Sequence, residues 1–500
     1  MVFDGMVAAG LDPTCDDDAN TYAQQVQEKY FSRTTTASKK GNPQRRVFHN
    51  GGHIPKGGKA DNHWNSHLEL ESLPTGGWGY DHFPVSAKYA ATTGYDFLGM
   101  TGKFHTSWGE FGGFKRPAAL QYECAAMLSF GAKCSVGDQL HPSGAMNPDT
   151  YSLIGEAYSQ VQEKEPWCVG SQAVSEIALV SPEALQTEHT VSRAEQAVPE
   201  EGAARMLLEL HYQFDVVDLD RDLAPYKLVI LPDKILLQNP FLEKIQQYIK
   251  NGGKVLLSGD SGLTPDKSTF ALDVGLTLVG RSEFDPDYIV AGDKLRGVPV
   301  RSEIVIHGGA WNVRASEQWQ VLANRMNPYF NRAWNHFCSH LHTPDDAASE
   351  FPAALQSGGI IYFAHHIFTR YRLYGQPLYR DLIANAIALL LPQRSVETTL
   401  PTAGRVSLMR QDKEKRYILH LLYANPQLRG GRDGENARAV EVIEDIMPLH
   451  DVHCKARLQE PIRAIRLAPS GEVLDFTLKD GIVKFCVPRL LCHQMVVLES

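Results

Sequence analysis

Short strand-like runs that alternate with helix-compatible stretches dominate the first 170 residues, and this alternation constrains the fold more than any other feature of the sequence. The runs are MVFDGMV (1–7), RRVFHNGG (45–52), SHLELESL (66–73), YDFLGMTGK (95–103) and AKCSVGDQL (132–140). The stretches between them, such as 18–33 and 116–131, carry apolar residues at helical spacing. A strand followed by a helix, repeated in this way, predicts a parallel α/β arrangement.

Polar and aromatic side chains follow each of the five predicted strands. In chain order they are Asp4, Asn50, His53, Glu69, Glu71, Trp78, Tyr80, Lys103, His105, Trp108, Glu110, Asp138 and His141. In a (β/α)8 barrel the carboxyl ends of the strands face one pocket, so these side chains are expected to share a site. A closed barrel needs eight strand–helix units. With about five of them, the sequence predicts a partial TIM barrel.

The side chains at these strand ends are the kinds that glycosidic bond cleavage requires. One carboxylate acts as nucleophile or base and a second carboxyl group protonates the leaving oxygen, about 5–5.5 Å away in retaining enzymes and farther in inverting ones. Aromatic rings and hydrogen-bond donors complete a sugar site. Any one acid here is more simply explained as a solvated loop charge. The recurrence of acids, histidines and aromatic rings at the same end of successive strands favours a sugar-processing pocket.

Two further segments follow the barrel segment, which spans 1–172. Residues 173–393 alternate buried strand-like runs with helices, as in a doubly wound, flavodoxin-like α/β domain. Residues 394–500 carry short strand-like runs separated by hairpin-type turns, which predicts a small β-sandwich. The expected fold class is therefore α/β, with a partial barrel, a doubly wound domain and a C-terminal sandwich.

Charge, hydropathy and cysteine spacing exclude several classes of partner. The formal net charge is −9 and no basic stripe is visible, so neither nucleic acid nor an acidic membrane surface is expected as a partner. No apolar run approaches the roughly 18 residues that a membrane span needs. The eight cysteines have neither a CxxC pair nor the spacing of a disulfide framework. Free thiols in a reducing, cytoplasmic compartment are the resulting expectation.

Five histidines in the barrel segment invite a metal hypothesis. They are His49, His53, His63, His67 and His82. Their spacing matches neither HExxH nor His-x-His, so hydrogen-bonding or packing roles are favoured. The Gly-rich stretches HNGGH and SGDSG also lack the spacing of phosphate-binding loops. We therefore expect no metal and no cofactor.

Three long blocks carry a resemblance to a known family. They are HLELESLPTGGWGYDHFPVSAKYA (67–90), GMTGKFHTSWGEFGGFKRPAAL (99–120) and KCSVGDQLHPSGAMNPDTYSLIG (133–155). They resemble the "hypothetical glycosyl hydrolase 6" barrel of glycoside hydrolase family 151, a group described as α-L-fucosidases. Residues 175–392 resemble the β-galactosidase trimerisation domain, a relative of class I glutamine amidotransferases. This resemblance implies a homo-oligomer, with a trimer as one expected form.

The resemblance also implies a retaining mechanism with an aspartate nucleophile. That nucleophile would be Asp4, on the run that corresponds to the fourth barrel strand, and the acid/base would be Glu71, at the end of the sixth. Glu69 shares the face of Glu71 by two-residue periodicity, and Glu110, after the seventh strand, is the second candidate by likeness to β-galactosidase barrels. Neighbouring carboxylates are expected to raise one another's proton affinity, which an acid needs. Family members carry three further strands before Asp4, so the resemblance implies an N-terminally truncated chain.

The expected function is hydrolysis of terminal α-L-fucosides in an oligosaccharide or simpler glycoside. The expected substrate-binding residues are Asn50, His53, Trp78, Tyr80, Lys103, His105, Trp108, Asp138 and His141. A β-galactosidase-like hydrolase and a truncated, non-catalytic sugar-binding or oligomerising protein are the alternatives. A glutamine amidotransferase is the third candidate function. The absence of a cysteine nucleophile from the turn LLSGDSG (256–262) argues against it.

Overall fold

The computed structural model describes residues 2–57, 62–185, 193–297, 300–431 and 439–500. It divides into two compact units. The first unit holds the chain up to Val174 together with Val396–Ser500, and the second holds Ser175–Leu185 with Ala194–Ser395. The finer division at residues 172 and 393 stays a prediction. None of the described helices is both long and apolar enough to cross a membrane.

Two helices occupy the first part of unit 1, where the sequence predicted a strand over 1–7. They are α1 (Val2–Ala8) and α2 (Asp16–Ser38). Gly5 of α1 lies against Tyr22 of α2, so closely that a Cβ on Gly5 would lie 1.9 Å from the tyrosine hydroxyl oxygen. No described strand pairs with this segment, and a helix satisfies its backbone N–H and C=O groups internally. The strand prediction for 1–7 is therefore wrong.

The strand predicted over 45–52 is also wrong, because these residues form an irregular segment. Side chains replace the missing strand ladder as hydrogen-bond partners of its backbone. Val47 N donates to Ser66 Oγ at 2.9 Å, and His49 N donates to Asn65 Oδ1 at 2.9 Å. Such local side-chain bonds compete with sheet pairing.

A three-stranded parallel sheet follows, with the strand–helix alternation that the sequence predicted. Its elements are β1 (Leu68–Glu71), α3 (His82–Ala90), β2 (Phe97–Gly102), α4 (Pro117–Ser129), β3 (Lys133–Gly137) and α5 (Pro148–Lys164). The strands lie in the order β1-β2-β3, and Glu71, Met100 and Ser135 occupy one register level near their carboxyl ends. Three of the five predicted strands are thus confirmed. Strand β4 (Gln172–Ala173) ends this part of the chain.

The second unit is built on a mixed sheet. Its elements are β5 (Ile177–Val180), α6 (Arg193–Glu209), β6 (Phe214–Val217), β7 (Leu228–Leu231), α7 (Phe241–Lys250), β8 (Lys254–Ser258), β9 (Leu276–Arg281), β10 (Asp287–Ala291), β11 (Ile304–Ile306), β12 (Trp311–Ala315), β13 (Gln320–Pro328), β14 (Asp345–Ala348), β15 (Ala354–Ser357), β16 (Ile360–Phe363), α8 (Ile367–Tyr374) and α9 (Pro377–Leu390). The parallel strands follow the order β6-β5-β7-β8-β16. This is the 2-1-3-4-5 order of flavodoxin-like sheets, as predicted. Antiparallel strands β15, β13, β10 and β11 extend the sheet, an addition that the sequence analysis missed.

The C-terminal part of unit 1 consists of strands, as predicted. They are β17 (Val396–Thr398), β18 (Arg405–Gln411), β19 (Arg416–Leu422), β20 (Gln427–Arg429), β21 (Val440–Val442), β22 (Leu449–Arg457), β23 (Ala464–Ala468), β24 (Phe476–Lys479), β25 (Ile482–Leu490) and β26 (His493–Glu499). One sheet has the order β17-β22-β25-β24 and the other β23-β26-β19-β18-β4. Buried side chains of both sheets, such as Leu419 and Val487, form one hydrophobic core.

Candidate active site

Strand β1 places two glutamates on the face of the sheet that α3 does not cover. Leu68 and Leu70 are buried, whereas Glu69 and Glu71 alternate with them and are half-buried. Side chains two residues apart on a strand share a face, and their Cα atoms lie about 6.6 Å apart. The predicted pair of same-face carboxylates is therefore confirmed.

Glu69 forms a hydrogen bond with His67, the residue immediately before its own strand. His67 Nε2 lies 3.0 Å from Glu69 Oε1, and His67 Nδ1 lies 3.0 Å from Ser66 Oγ. A hydroxyl, an imidazole and a carboxylate thus form one hydrogen-bonded chain that fixes the orientation of Glu69. A hydrogen-bonding or packing role for His67 was favoured over metal binding, but Glu69 was not predicted as its partner.

Glu71 accepts a hydrogen bond from Asn50, which lies in the irregular segment before β1. Asn50 Nδ2 donates to Glu71 Oε2 at 3.0 Å, and Asn50 Oδ1 accepts from Gly52 N at 2.8 Å. A Cβ on Gly52 would lie 3.8 Å from Trp78 Cη2, so this turn, which continues to His53, lies beside the indole. The structure therefore brings Asn50, Glu71 and Trp78 together, as the sequence predicted.

Trp108 lies across the ends of two strands. Its ring covers Gly102 and Gly137, the last residues of β2 and β3, and a Cβ on Gly137 would lie 2.0 Å from Trp108 Cη2. Phe104 meets the indole edge-on, with ring centroids 5.3 Å apart. About 42% of Trp108 stays exposed. Glycine at both strand ends thus allows a flat, accessible aromatic surface, the kind on which sugar rings stack.

Glu110 is bound within the loop that follows β2. Its carboxylate accepts from Thr106 N at 2.9 Å and from Thr106 Oγ1 at 2.7 Å. Burial alone would raise the pKa of Glu110, but the Thr106 hydrogen bonds and the charge of His105 outweigh burial and lower that pKa. The predicted rise in proton affinity does not hold for Glu110, because hydrogen bonds to a carboxylate stabilise its ionised form.

The loops after β2 and β3 touch through aromatic rings. Phe111 meets His141 edge-on at 6.1 Å, and His141 Nδ1 lies 2.8 Å from Ser143 Oγ. His141 is exposed, and Asp138 is half-buried just after β3. The polar residues predicted for these two loops therefore lie on neighbouring segments.

Two residues predicted to bind substrate lie inside the protein instead. Tyr80 is 7% exposed, and its hydroxyl donates to Glu123 Oε1 at 3.3 Å. Lys103 is 3% exposed, and its Nζ donates to Gly113 O at 3.2 Å and lies 4.3 Å from the Phe114 ring centroid. We correct both assignments, because each polar group is committed to partners within the fold.

Behind the sheet, Tyr80 belongs to a buried polar network that the sequence analysis missed. Lys115 Nζ lies 2.7 Å from Glu123 Oε2 and 2.8 Å from Thr101 Oγ1. Thr101 Oγ1 also donates to Glu123 Oε2 at 2.6 Å. The spacing of Lys115 and Glu123, eight residues apart, was the one signal in the sequence, and it was too weak to identify a pair.

Asp4 does not lie at a strand end. It is exposed on α1, which replaces the predicted strand. The position that was to place its carboxylate in the pocket is therefore not formed.

Two more of the five histidines form hydrogen bonds. His49 Nε2 lies 2.7 Å from Thr35 Oγ1, and His82 Nδ1 lies 3.2 Å from Ser72 Oγ. Within the described ranges, no group of three or more His, Cys, Asp or Glu side chains is arranged to hold a metal ion.

Comparison with known proteins places this arrangement among glycosidases. The chain is 42% identical to α-L-fucosidase isoenzyme 2 from Paenibacillus thiaminolyticus, with a TM-score of 0.92, and the match covers 100% of this chain and 75% of that one. The chain belongs to the family of that fucosidase. It is a glycosyl hydrolase by family.

More distant matches agree in fold. The β-galactosidase from Bacillus circulans sp. alkalophilus has a TM-score of 0.66 at 13% identity, covering 97% of this chain and 68% of that one. A GH42 β-galactosidase from G. stearothermophilus has a TM-score of 0.64 at 12% identity, with the same coverage. Residues 204–275 match the family model of the β-galactosidase trimerisation domain. No curated protein matches the sequence.

Proposed function

We propose that this glycosidase is a retaining α-L-fucosidase of glycoside hydrolase family 151. The observation that carries the proposal is the pair Glu69 and Glu71 on one open face of β1, each fixed by a hydrogen bond. The 42% identity to an α-L-fucosidase over the whole chain supports the choice of sugar. The β-galactosidases are similar in fold alone and support no particular substrate.

In the proposed mechanism Glu71 is the acid/base. Its carboxyl group protonates the glycosidic oxygen while a carboxylate nucleophile bonds to the anomeric carbon and the aglycone leaves. Glu71 then takes a proton from water, which attacks the anomeric carbon and releases the nucleophile. Asn50 orients Glu71 for both steps. The family resemblance alone points to Asp4 as the nucleophile; in the structure Asp4 lies on α1 and not at a strand end.

Aromatic side chains would hold the sugar. Trp108 offers a half-exposed ring at the ends of β2 and β3, and Trp78 lies beside the Asn50 turn that binds Glu71. His53, His105, Asp138 and His141 are proposed as polar partners of the sugar hydroxyls. Glu110 is poorly suited to the acid role, because its hydrogen bonds favour the ionised carboxylate.

Replacement of Glu71 by Gln tests the acid/base assignment. Loss of general acid catalysis is expected to lower kcat about 10²- to 10⁴-fold on fucosides with poor leaving groups. Activated aryl fucosides need less protonation and should lose far less. Glu69→Gln, the comparison variant on the same face, should not show this dependence on the leaving group. An equal loss on both substrates for Glu71→Gln would remove Glu71 from this role.

The stereochemistry of the product and the sugar preference test the rest of the proposal. Wild-type protein should hydrolyse aryl α-L-fucosides faster than aryl β-galactosides, and NMR should detect the α-anomer of fucose first. First release of the β-anomer would contradict retention. Asp4→Asn should abolish turnover if Asp4 is the nucleophile, whereas unchanged kcat would exclude it.

Replacement of Gly137 by Ala tests the stacking surface. The added methyl group would meet Trp108 at 2.0 Å and displace the ring, so we expect KM for the fucoside to rise roughly tenfold with a smaller change in kcat. Gly155→Ala is the matched control, because a Cβ on this residue of α5 meets nothing within 4 Å. Unchanged KM for Gly137→Ala would show that the ring does not hold substrate.

A homo-oligomer, with a trimer as the favoured form, is also proposed. The match of residues 204–275 to the β-galactosidase trimerisation domain supports it. A cytoplasmic location stays a prediction from the sequence.

A further inference from the structure

A cavity of about 520 Å³ lies in the second unit, beyond the carboxyl ends of β7, β8 and β16. Lys234 follows β7, Asp260 follows β8 and His366 follows β16, and all three line it. Open parallel α/β sheets bind their ligands at this end of the strands. The glycosidase mechanism uses none of these residues.

Asp260, which lines the cavity, already accepts hydrogen bonds from several protein donors. Asp260 Oδ1 accepts from Arg281 at 2.9 Å and Trp311 Nε1 at 2.8 Å and lies 2.9 Å from His366 Nε2, and Oδ2 lies 2.8 Å from Lys267 Nζ. Burial alone would raise the pKa of Asp260, but the contacts with His366, Lys267 and Trp311 lower it well below its usual range. This carboxylate is therefore ionised, and four protein donors already contact it.

Two other acids at or near the cavity also accept hydrogen bonds within the fold. Asp285 Oδ1 accepts from Gly308 N at 2.7 Å. Asp233 accepts from Ser258 Oγ at 2.7 Å and from Thr369 N at 2.6 Å. Both acids therefore have donors from the protein itself.

The donors that line the cavity are not all satisfied. Arg370 Nε and Thr369 Oγ1 are buried, and neither has a hydrogen-bond partner. Buried polar groups are nearly always paired in native proteins, and an orphaned donor therefore points to an absent acceptor. A guanidinium beside a hydroxyl is a donor set that suits an oxyanion.

The backbone makes room for the guanidinium. Gly308 has a φ of +89°, and a Cβ there would lie 2.0 Å from Arg370 Nη2. Gly309 follows with a φ of +64°. Two successive glycines thus form a wall without side chains, against which the Arg370 head group lies flat. Lys234 adds positive charge to the same cavity, whereas Arg281 is paired with Asp260.

We propose that this cavity binds the oxyanion group of a small metabolite, a phosphate or a carboxylate, with Arg370 and Thr369 as its chief donors. Arg370 would bind the anion through its charge and its N–H groups, and Thr369 through its hydroxyl. The site lies within the second unit and is defined without reference to the glycoside. Its test therefore does not depend on hydrolytic activity.

Isothermal titration calorimetry of the full chain at constant ionic strength tests the proposal. The probes are inorganic phosphate, glucose 6-phosphate and glucuronate, which separate phosphate from carboxylate recognition. We expect saturable binding of at least one probe at one site per chain. Arg370→Gln should weaken it at least about tenfold, the loss typical of a hydrogen bond to a charged group. Absence of saturable binding for all three probes would overturn the proposal.

Two further variants keep the result interpretable. Arg372→Gln is the control on the same helix, because Arg372 pairs with Glu201 outside the cavity, and its affinity should match wild type. Thr369→Val keeps the shape but removes the hydroxyl, and it should weaken binding several-fold even if Arg370→Gln fails to fold. Affinity that stays within twofold of wild type in Thr369→Val and in a folded Arg370→Gln would refute the site.

Discussion

At the scale of single residues, burial decides how much an ion pair matters in unit 1. The side chains of Lys115 and Glu123 are 2% and 4% exposed and lie 2.7 Å apart, with Thr101 bonded to both. Lys133 and Asp96 also form a pair, but their side chains are 66% and 43% exposed. Removing one partner of a buried pair leaves an uncompensated charge without water, whereas an exposed charge is simply rehydrated.

We therefore expect Glu123→Gln to lower the free energy of unfolding by about 3–5 kcal/mol. Lys133→Gln, the control, should lower it by at most about 1 kcal/mol. Urea denaturation monitored by circular dichroism measures both. The double variant Lys115→Met/Glu123→Leu should recover much of the loss, because it removes both buried charges. Equal effects of Glu123→Gln and Lys133→Gln would contradict the role of burial.

At the scale of elements, the apolar/polar pattern of the sequence was sufficient to predict a strand that buries one face. The LELE run alternates buried leucines with half-buried glutamates, so period 2 alone located β1 and the shared face of its acids. MVFDGMV has apolar residues that fit either period, and in the structure it is a helix that packs against Tyr22. The local sequence pattern does not distinguish a strand from a helix here, because the contact with Tyr22 is made with another element.

Contacts between elements also decide the positions of side chains in the candidate site, and the local sequence does not show these contacts. Trp108 was predicted to bind substrate, and its ring is partly exposed. The glycines that make room for it, Gly102 and Gly137, can be recognised as such only once β2 and β3 are paired. Tyr80 and Lys103 looked like pocket residues because they follow strands. In the fold Tyr80 bonds to Glu123 and Lys103 bonds to Gly113. No sequence pattern links the members of either pair.

Strands β19 and β26 hold a pair of buried histidines in the sandwich. His420 Nδ1 lies 3.1 Å from His493 Nε2, and both rings are buried. Burial, with the charge of Lys164, lowers the pKa of His420 to about 3 and that of His493 well below its usual value. The folded protein therefore keeps both rings neutral at pH values where the unfolded chain protonates them.

This pair makes stability depend on pH with a definite sign. The unfolded histidines bind protons below a pH of about 6.5, so stability is fully present above that pH and falls as the pH drops toward the folded pKa, near 3 for His420. Each ring should contribute a slope that approaches about 1.4 kcal/mol per pH unit as the pH falls well below 6.5. Urea denaturation between pH 5 and 6.5 should show a steep slope that His420→Gln/His493→Gln flattens. The exposed His450→Gln should leave the slope unchanged; an unchanged slope in the double variant would exclude the pair as its source.

At the scale of the whole molecule, the second unit presents an apolar patch to solvent. Trp334, Phe337 and Leu341 are 90%, 65% and 75% exposed and line one shallow surface cavity. Large exposed apolar patches mark interaction surfaces, because leaving them in water is unfavourable. The same unit contains the match to the trimerisation domain, so a second copy of this chain is the partner we expect.

Sedimentation velocity tests whether this patch joins the copies. Wild-type protein should sediment as a homo-oligomer, with a trimer at about three times the 55.6 kDa of one chain. Trp334→Ser/Phe337→Ser/Leu341→Ser should shift it toward the single chain, since hydrophobic burial drives most subunit association. Val473→Ser, an exposed apolar residue of the first unit, is the control and should not change the mass. An oligomer that survives the triple substitution would place the contact elsewhere, and a wild-type protein that sediments as one chain would contradict the oligomer itself.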